Sequence, residues 1–134
     1  MKSKIILQAA DLDGRLTSLN QAGQRAMGYS LAEALGLRLE DLAAPECRGL
    51  VRERFAARKQ GADLPGFEIR MVTRDGRSLE LEVSSRLVFR DGQPRAVEGI
   101  ARDITARKQA EEARLEAERK YHAIFDNAVE GIFQ

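Results

Sequence analysis

Three Asp-Gly dipeptides, Asp13-Gly14, Asp75-Gly76 and Asp91-Gly92, set the tightest limit on how this chain folds. Asp-Gly tolerates the positive φ of the tight turns that match the twist of paired strands, so alternating apolar residues on both sides of one mark a hairpin. All three are flanked in this way. The first joins residues 5–10 to 15–19, the second joins 67–73 to 79–89, and the third joins that strand to 96–102. Phe67, Ile69 and Met71 share one face of their strand. Leu79, Leu81, Val83, Leu87 and Phe89 share a face of the next, opposite Glu80, Glu82, Ser84, Arg86 and Arg90. The pattern predicts five antiparallel strands, two before residue 20 and three after residue 66.

Between them the alternation stops. Residues 20–27 read as a short helix with Asn20 as N-cap, and Ser30-Leu-Ala-Glu33 is a capping box that opens another turn. Pro45 suits the first turn of a longer helix that runs to about Gln60 and is stopped by Gly61. Two strands, a helical insert and three strands make an α+β fold, one five-stranded antiparallel sheet with helices on one face. The 134 residues allow one such domain, residues 1–105, and a remainder.

The remainder differs in kind. Residues 106–122 contain neither Gly nor Pro and favour helix by propensity alone. Ala106, Ala110, Ala113, Ala117, Tyr121 and Ile124 recur at three or four residues as a thin apolar seam, and Glu116 precedes Lys120 by one turn. Such a protruding helix, residues 106–125, has little to bury on its own domain. A partner helix, as in a coiled-coil homodimer, or plain solvent are the two readings of the seam. Residues 126–134 turn apolar again, with Val129, Ile132 and Phe133, and read as the opening of a further unit.

In order along the chain, these residues resemble a PAS domain, the sensory module of bacterial signalling proteins. Asp11-Leu-Asp-Gly-Arg15 with Asn20 is similar to the first hairpin and the Asn that opens the first helix. Gly28-Tyr-Ser30 with Glu33, Leu35 and Gly36 resembles the central helical stretch, and Pro45-Glu46 with Arg48 the start of the long helix. Phe67-Glu-Ile-Arg70 with Thr73-Arg-Asp-Gly76 resembles the second hairpin, and Gly99-Ile-Ala-Arg-Asp-Ile-Thr105 the last strand and its Asp-Ile-Thr ending. Arg107-Lys-Gln-Ala-Glu-Glu112 is similar to a signalling helix, and residues 121–134 to the start of a second PAS domain. No leading helix of the family's kind precedes Ile5.

The resemblance brings flavin and haem sensors to mind as alternatives, and the residues argue against both. Aligning Glu33-Ala-Leu-Gly36 on the family puts Leu39 where flavin-binding members carry a reactive Cys, and Ala101 where they carry a flavin-contacting Gln. Cys47 lies eight residues too late for adduct chemistry, which needs sulfur at the flavin carbon. Residues 51–60 hold no His to ligate haem, and His122 stands in the linker helix. One Cys and one His make neither a disulfide nor a Cys/His zinc site. Asp11 and Asp13 do not complete a calcium loop, because its twelfth position is Ala22. Gly23 and Gly28 have P-loop spacing, but Tyr29 stands where the phosphate-binding Lys belongs. No metal or cofactor is predicted.

Enzymatic activity has no residue set to carry it: no Gly-x-Ser-x-Gly occurs, and Glu80 and Glu82 share the solvated side of a strand. Net charge is +1, and the basic stretch Arg52, Arg54, Arg58 and Lys59 lacks interleaved aromatics, so nucleic acid is not an expected partner. Apolar runs no longer than Ile5-Ile6-Leu7 exclude a membrane-inserted helix, and no signal peptide is apparent, which points to the cytoplasm.

The resemblance implies a non-enzymatic sensor that dimerises through its C-terminal helix and signals to an output domain in cis, of histidine kinase (two-component) or diguanylate cyclase type. A purely structural dimerisation spacer is the remaining alternative. A small-molecule pocket would lie between Phe67, Ile69, Met71, Leu81, Val83 and Ala101 on the inner sheet face and helical residues Met27, Leu35 and Leu42. The same face could equally be a filled core. Asp103, Ile104 and Thr105 form the relay at which strand becomes helix. There Thr105 would cap the helix, Ile104 would anchor its root, and Asp103 could pair with Arg74.

Overall fold

The structure, a computed structural model, describes residues 5–132. The chain divides into a unit ending at Ile104 and one beginning at Thr105. In the first, β1 (Ile5–Asp11), β2 (Leu16–Leu19), β3 (Phe67–Val72), β4 (Ser78–Arg90) and β5 (Gln93–Asp103) form one sheet of order β2-β1-β5-β4-β3. Every pairing is antiparallel, as the three hairpins require. The last strand in sequence is therefore the central one.

The turns are not alike. Asp91 and Gly92 both have positive φ, 54° and 76°, as a two-residue primed turn demands. The first two hairpins are wider, and only their Gly residues enter the left-handed region. Side chains hold them instead: Asp11 Oδ1 accepts from the backbone N–H groups of Asp13 and Arg15, at 2.9 and 3.0 Å, and Thr73 Oγ1 accepts from that of Arg77 at 2.9 Å.

The insert forms α1 (Gln21–Met27), α2 (Leu31–Ala34), α3 (Leu39–Leu42), a 3-10 turn (Pro45–Cys47) and α4 (Arg48–Lys59). Asn20 caps α1 by accepting from Gly23 N–H at 2.9 Å, and the Ser30–Glu33 capping box is complete. Pro45 opens the 3-10 turn rather than the α-helix itself, and α3 has no sequence signal because no side chain caps it.

Residues 36–44 run from one edge of the sheet to the other. Beside β2, Leu16 N–H donates to Leu37 O and Gly36 N–H to Leu16 O, at 2.8 and 2.9 Å. Beside β3, Ala43 bridges Met71 and Ala44 N–H donates to Arg70 O at 2.8 Å. One connection thus occupies backbone groups on both sheet edges that would otherwise template foreign strands.

The core lies between the sheet and these helices, built around Ile6, Leu16, Met27, Leu42, Ile69 and Leu81. Phe89 departs from the expected inward face and is 59% exposed. It stands two residues before the Asp91-Gly92 turn and outside the core, and the register shift beside it leaves Arg95 of β5, not a residue of β4, as the extra one.

The second unit is α5 (Thr105–Ile132). It opens at Thr105. It continues unbroken past residue 125, where the sequence suggested a boundary, and Phe133 lies outside the described residues. Ion pairs one turn apart, Arg114–Glu118 at 2.7 Å and Glu116–Lys120 at 4.0 Å, line its surface. Among the described residues, no helix is long and apolar enough to cross a membrane.

Candidate functional site

Alternation along the strands decides what meets the helices. Ile6, Gln8 and Ala10 of β1, Phe67, Ile69 and Met71 of β3, Leu79, Leu81 and Val83 of β4, and Val97, Gly99 and Ala101 of β5 fall on the inner face. Between that face and the helices is a cavity of about 100 Å³. Met27, Leu42, Phe67, Ile69, Met71, Leu81, Val83 and Ala101 all line it, as expected.

Leu35 does not. It is the C-cap of the one-turn α2 and is 45% exposed, whereas Ala34, one residue earlier, is 1% exposed and reaches the lining. A helix this short turns only one position inward, and the larger side chain is not the one chosen.

Sequence reasoning missed the polar part of the lining: Gln8, Tyr29, Arg54 and Ser85. Gln8 was legible, since it sits midway between Ile6 and Ala10 on an inward-alternating strand. Its Oε1 is buried and, among the described residues, has no hydrogen-bond partner. Ser85 Oγ accepts from Arg58 Nε at 3.2 Å.

The basic stretch of α4 is mostly engaged within the fold. Arg58 also donates to the carbonyls of Ala62 and Leu64, both at 3.0 Å, and Arg54 donates to Pro65 O at 3.2 Å while its guanidinium lies 4.7 Å from the centre of the Phe67 ring. Together they tie residues 60–66 against the cavity rim. Arg52 pairs with Glu40 at 2.8 Å.

The relay residues sit at the end of the central strand. Asp103 pairs in register with Leu81, and Ile104, 4% exposed, donates its N–H to Glu80 O at 2.8 Å. The side chain of Glu80 accepts from Arg70 Nε at 2.9 Å, and Arg70 reaches Glu46 at 3.2 Å. The hydrogen bond and charge of Glu80 raise the Arg70 pKa, with Glu46 adding to the effect. Arg74, offered by the sequence as a partner for Asp103, pairs instead with Glu33. The Glu33 pKa is lowered chiefly by the hydrogen bonds from Ser30, with the Arg74 charge contributing.

Cys47 is half-buried beside the core and is not part of the cavity lining. His122 is exposed on α5, edge-on to Tyr121 at 5.9 Å. Among the described residues, no group of three His, Cys, Asp or Glu side chains could hold a metal ion. Chemically the site can hold a small, largely apolar molecule, with Tyr29, Arg54 and Ser85 as polar groups in its wall.

Comparison with known proteins agrees with this geometry. The sequence model of the family described as "PAS fold" matches residues 3–109. A methyl sulfide methyltransferase-associated sensor of Methanosarcina acetivorans is 35% identical over 96 residues, which are 71% of this chain and 9% of that protein. This chain therefore spans under a tenth of that relative's length. A solved domain of a sensory box sensor histidine kinase/response regulator from Geobacter sulfurreducens is 29% identical with a TM-score of 0.64, covering 75% of this chain and 83% of its own. A sensory box histidine kinase/response regulator from Burkholderia thailandensis shares the fold at 21% identity, TM-score 0.71, covering 90% and 92% respectively.

Proposed function

The chain belongs to the PAS-fold family, and from that premise we propose that it is a ligand-responsive relay which dimerises through α5 and controls an output domain in cis. As a PAS sensory domain with a sensor among its relatives, it is consistent with signalling. The finer reading rests on one observation. Val97 and Ala101 of β5 line the cavity, and the same strand ends at Asp103 and passes through buried Ile104 into α5. A ligand that favours one position of β5 thereby biases the root of the helix, through its difference in affinity for two arrangements.

Support for α5 as the dimer element comes from its composition. Leu115, Tyr121, Ile124 and Phe125 are all exposed on it, beyond the Ala106, Ala110, Ala113 and Ala117 seam. The output domain is of histidine kinase or diguanylate cyclase type; the similar domains from G. sulfurreducens and B. thailandensis belong to sensory box histidine kinase/response regulator proteins. The domain itself carries no reaction in this reading, and its place is the cytoplasm. Residues 126–134 open a second PAS unit.

Flavin and haem are left out of the reading because about 100 Å³ is below the range of pockets that hold ligands of that size, and no Cys or His lines the cavity. Visible absorbance of the purified protein would contradict this. Native mass spectrometry tests the rest: a dimer is expected, and Ala113→Glu with Ile124→Glu converts it to monomer. A dimer that survives both charges removes α5 as the interface.

A further inference from the structure

We propose that the inner cavity takes a small monocarboxylate with a short apolar tail, and that Arg54 receives its carboxylate; the inference rests on the ligand-binding reading above. Arg54 and Arg58 stand one turn apart on α4, and both hold residues 60–66. They are not equally used. Arg58 donates from all three nitrogens, to Ser85 Oγ and to the carbonyls of Ala62 and Leu64. Arg54 donates only from Nη1, to Pro65 O at 3.2 Å. Among the described residues, its Nε and Nη2 meet no acceptor and its charge meets no carboxylate. The guanidinium is nevertheless fixed in place, because Pro65 holds one edge and its central carbon lies 4.7 Å from the centre of the Phe67 ring. Arg54 and Phe67 both line the cavity. Among the described residues no Asp or Glu lines it, so Arg54 gives the wall its one formal charge.

Charge and donor geometry name the ligand's head. A guanidinium only donates, and its Nε and Nη2 form a fork that matches the two oxygens of a carboxylate. An ammonium would bring donors to a donor. A phosphate would bring about −2 charges to a single cation beside apolar walls, and the excess charge is costly to desolvate. Ser85 adds a second donor to the same wall, since its oxygen accepts from Arg58 and its own proton remains to give. The tail follows from the other walls. Ile69, Leu81, Val83 and Ala101 are apolar and match hydrocarbon. A dry cavity of ~150 Å³ holds benzene, so about 100 Å³ takes a tail of roughly three or four carbons.

Isobutyrate and isobutyramide separate the charge from everything else, since they share a tail and a shape and only the first is an anion at neutral pH. Each is titrated into the full chain, with methyl and arginine Nε–H resonances followed by NMR. Isobutyrate is expected to shift the Val83 and Ala101 methyls together with the Arg54 Nε–H. It should bind about tenfold more tightly than the amide, the range of a hydrogen bond to a charged group. Arg54→Met keeps the apolar stem while removing the charge, and brings the two affinities together. Should that variant unfold, the Arg54 shift in the wild type decides alone. Equal binding of the two probes, methyl shifts that leave Arg54 unmoved, or a preference that survives in folded Arg54→Met overturns the role of Arg54 and leaves the cavity as a ligand site. Binding of neither probe, or isobutyrate shifts confined to arginines while the methyls stay still, overturns both.

Discussion

Alternate residues of the same five strands make two faces that are held by different forces. Inward, Ile6, Ile69, Met71, Leu81 and Ala101 are buried together, and only Gln8 and Ser85 interrupt the apolar floor of the cavity between β1 and β4. Outward, the neighbours pair by charge. Arg70 meets Glu80 at 2.9 Å and Arg86 meets Glu98 at 2.8 Å, each in register across two strands. Leu7 and Ile100 face each other there too, 48% and 54% exposed. The difference teaches which face fixes the fold. Slipping one strand by a residue would exchange its two faces, and only the inner one makes that exchange costly.

The largest test of the contrast is truncation on either side of the sheet. Leu81→Ala removes a buried side chain from the inner face and should cost about 2–5 kcal/mol in urea unfolding. Leu7→Ala on the outer face should change stability by no more than about 0.5 kcal/mol. Comparable costs would break the comparison outright. Gly23→Ala comes next. Alanine is worth up to about 1 kcal/mol over glycine in a helix interior, but its Cβ would stand 2.5 Å from Leu19 Cδ1 and 2.9 Å from Ile6 Cγ2. The helix approaches the inner face too closely for a methyl group, and a net loss of about 1–3 kcal/mol is expected. A stabilised variant would show that α1 can lift off the sheet.

Sequence pattern carried the inner face well because apolar alternation and burial are the same fact seen twice. Phe67, Ile69, Met71, Leu81 and Val83 were assigned to one face from spacing alone, and all five line the cavity. The failures have local causes. Leu35 is the C-cap of a single helical turn whose buried residue is Ala34, and a turn that short has no apolar periodicity to show which way it points. Phe89 is exposed because it lies at the turn end of β4, outside the core, and strand alternation says nothing of how far along a strand the covering helices reach. The links of Arg54 and Arg58 to residues 60–66 join positions up to 11 apart through backbone carbonyls, and side-chain sequence carries no mark of a carbonyl acceptor. Gln8 was readable and overlooked, because a polar residue on an inward strand position looks like an error in the pattern.

Those arginine links give a prediction of intermediate size. Arg58→Ala removes three donated hydrogen bonds at the rim of the inner face and should cost about 1–2 kcal/mol. Hydrogen exchange should quicken in residues 60–66 and hold steady in β1 and β5. Uniform quickening would mean that the arginine supports the whole fold and not the rim.

Acid acts outside the cavity. The carboxyl groups of Glu33 and Asp75 are both held below their ordinary pKa, Glu33 by hydrogen bonds from Ser30 and then the Arg74 charge, Asp75 by that from Thr73 and then Arg77. A depressed folded pKa means that the unfolded chain binds the proton first. The stabilisation is complete above the unfolded carboxylate range, about pH 4, and is lost as pH falls through the lowered values. Ser30→Ala should flatten the slope of the urea midpoint below about pH 5, and an unchanged slope would discount the Ser30 hydrogen bonds.

The smallest expected effect belongs to the outer face itself. Arg86 donates to Glu98 from both Nε and Nη2, at 3.0 and 2.8 Å, but its side chain is 78% exposed. Water and salt screen such a pair, and exposed pairs contribute about 0.2–1 kcal/mol. A double-mutant cycle with Arg86→Ala and Glu98→Ala isolates the coupling from the rest of each side chain. We expect it within that range and diminished in 1 M salt, where the screening length falls to about 3 Å. A larger coupling that ignores salt would mean that the pair is covered in solution. The outer face would then be an interior of another kind, and its exposed Leu7 and Ile100 would be buried along with it.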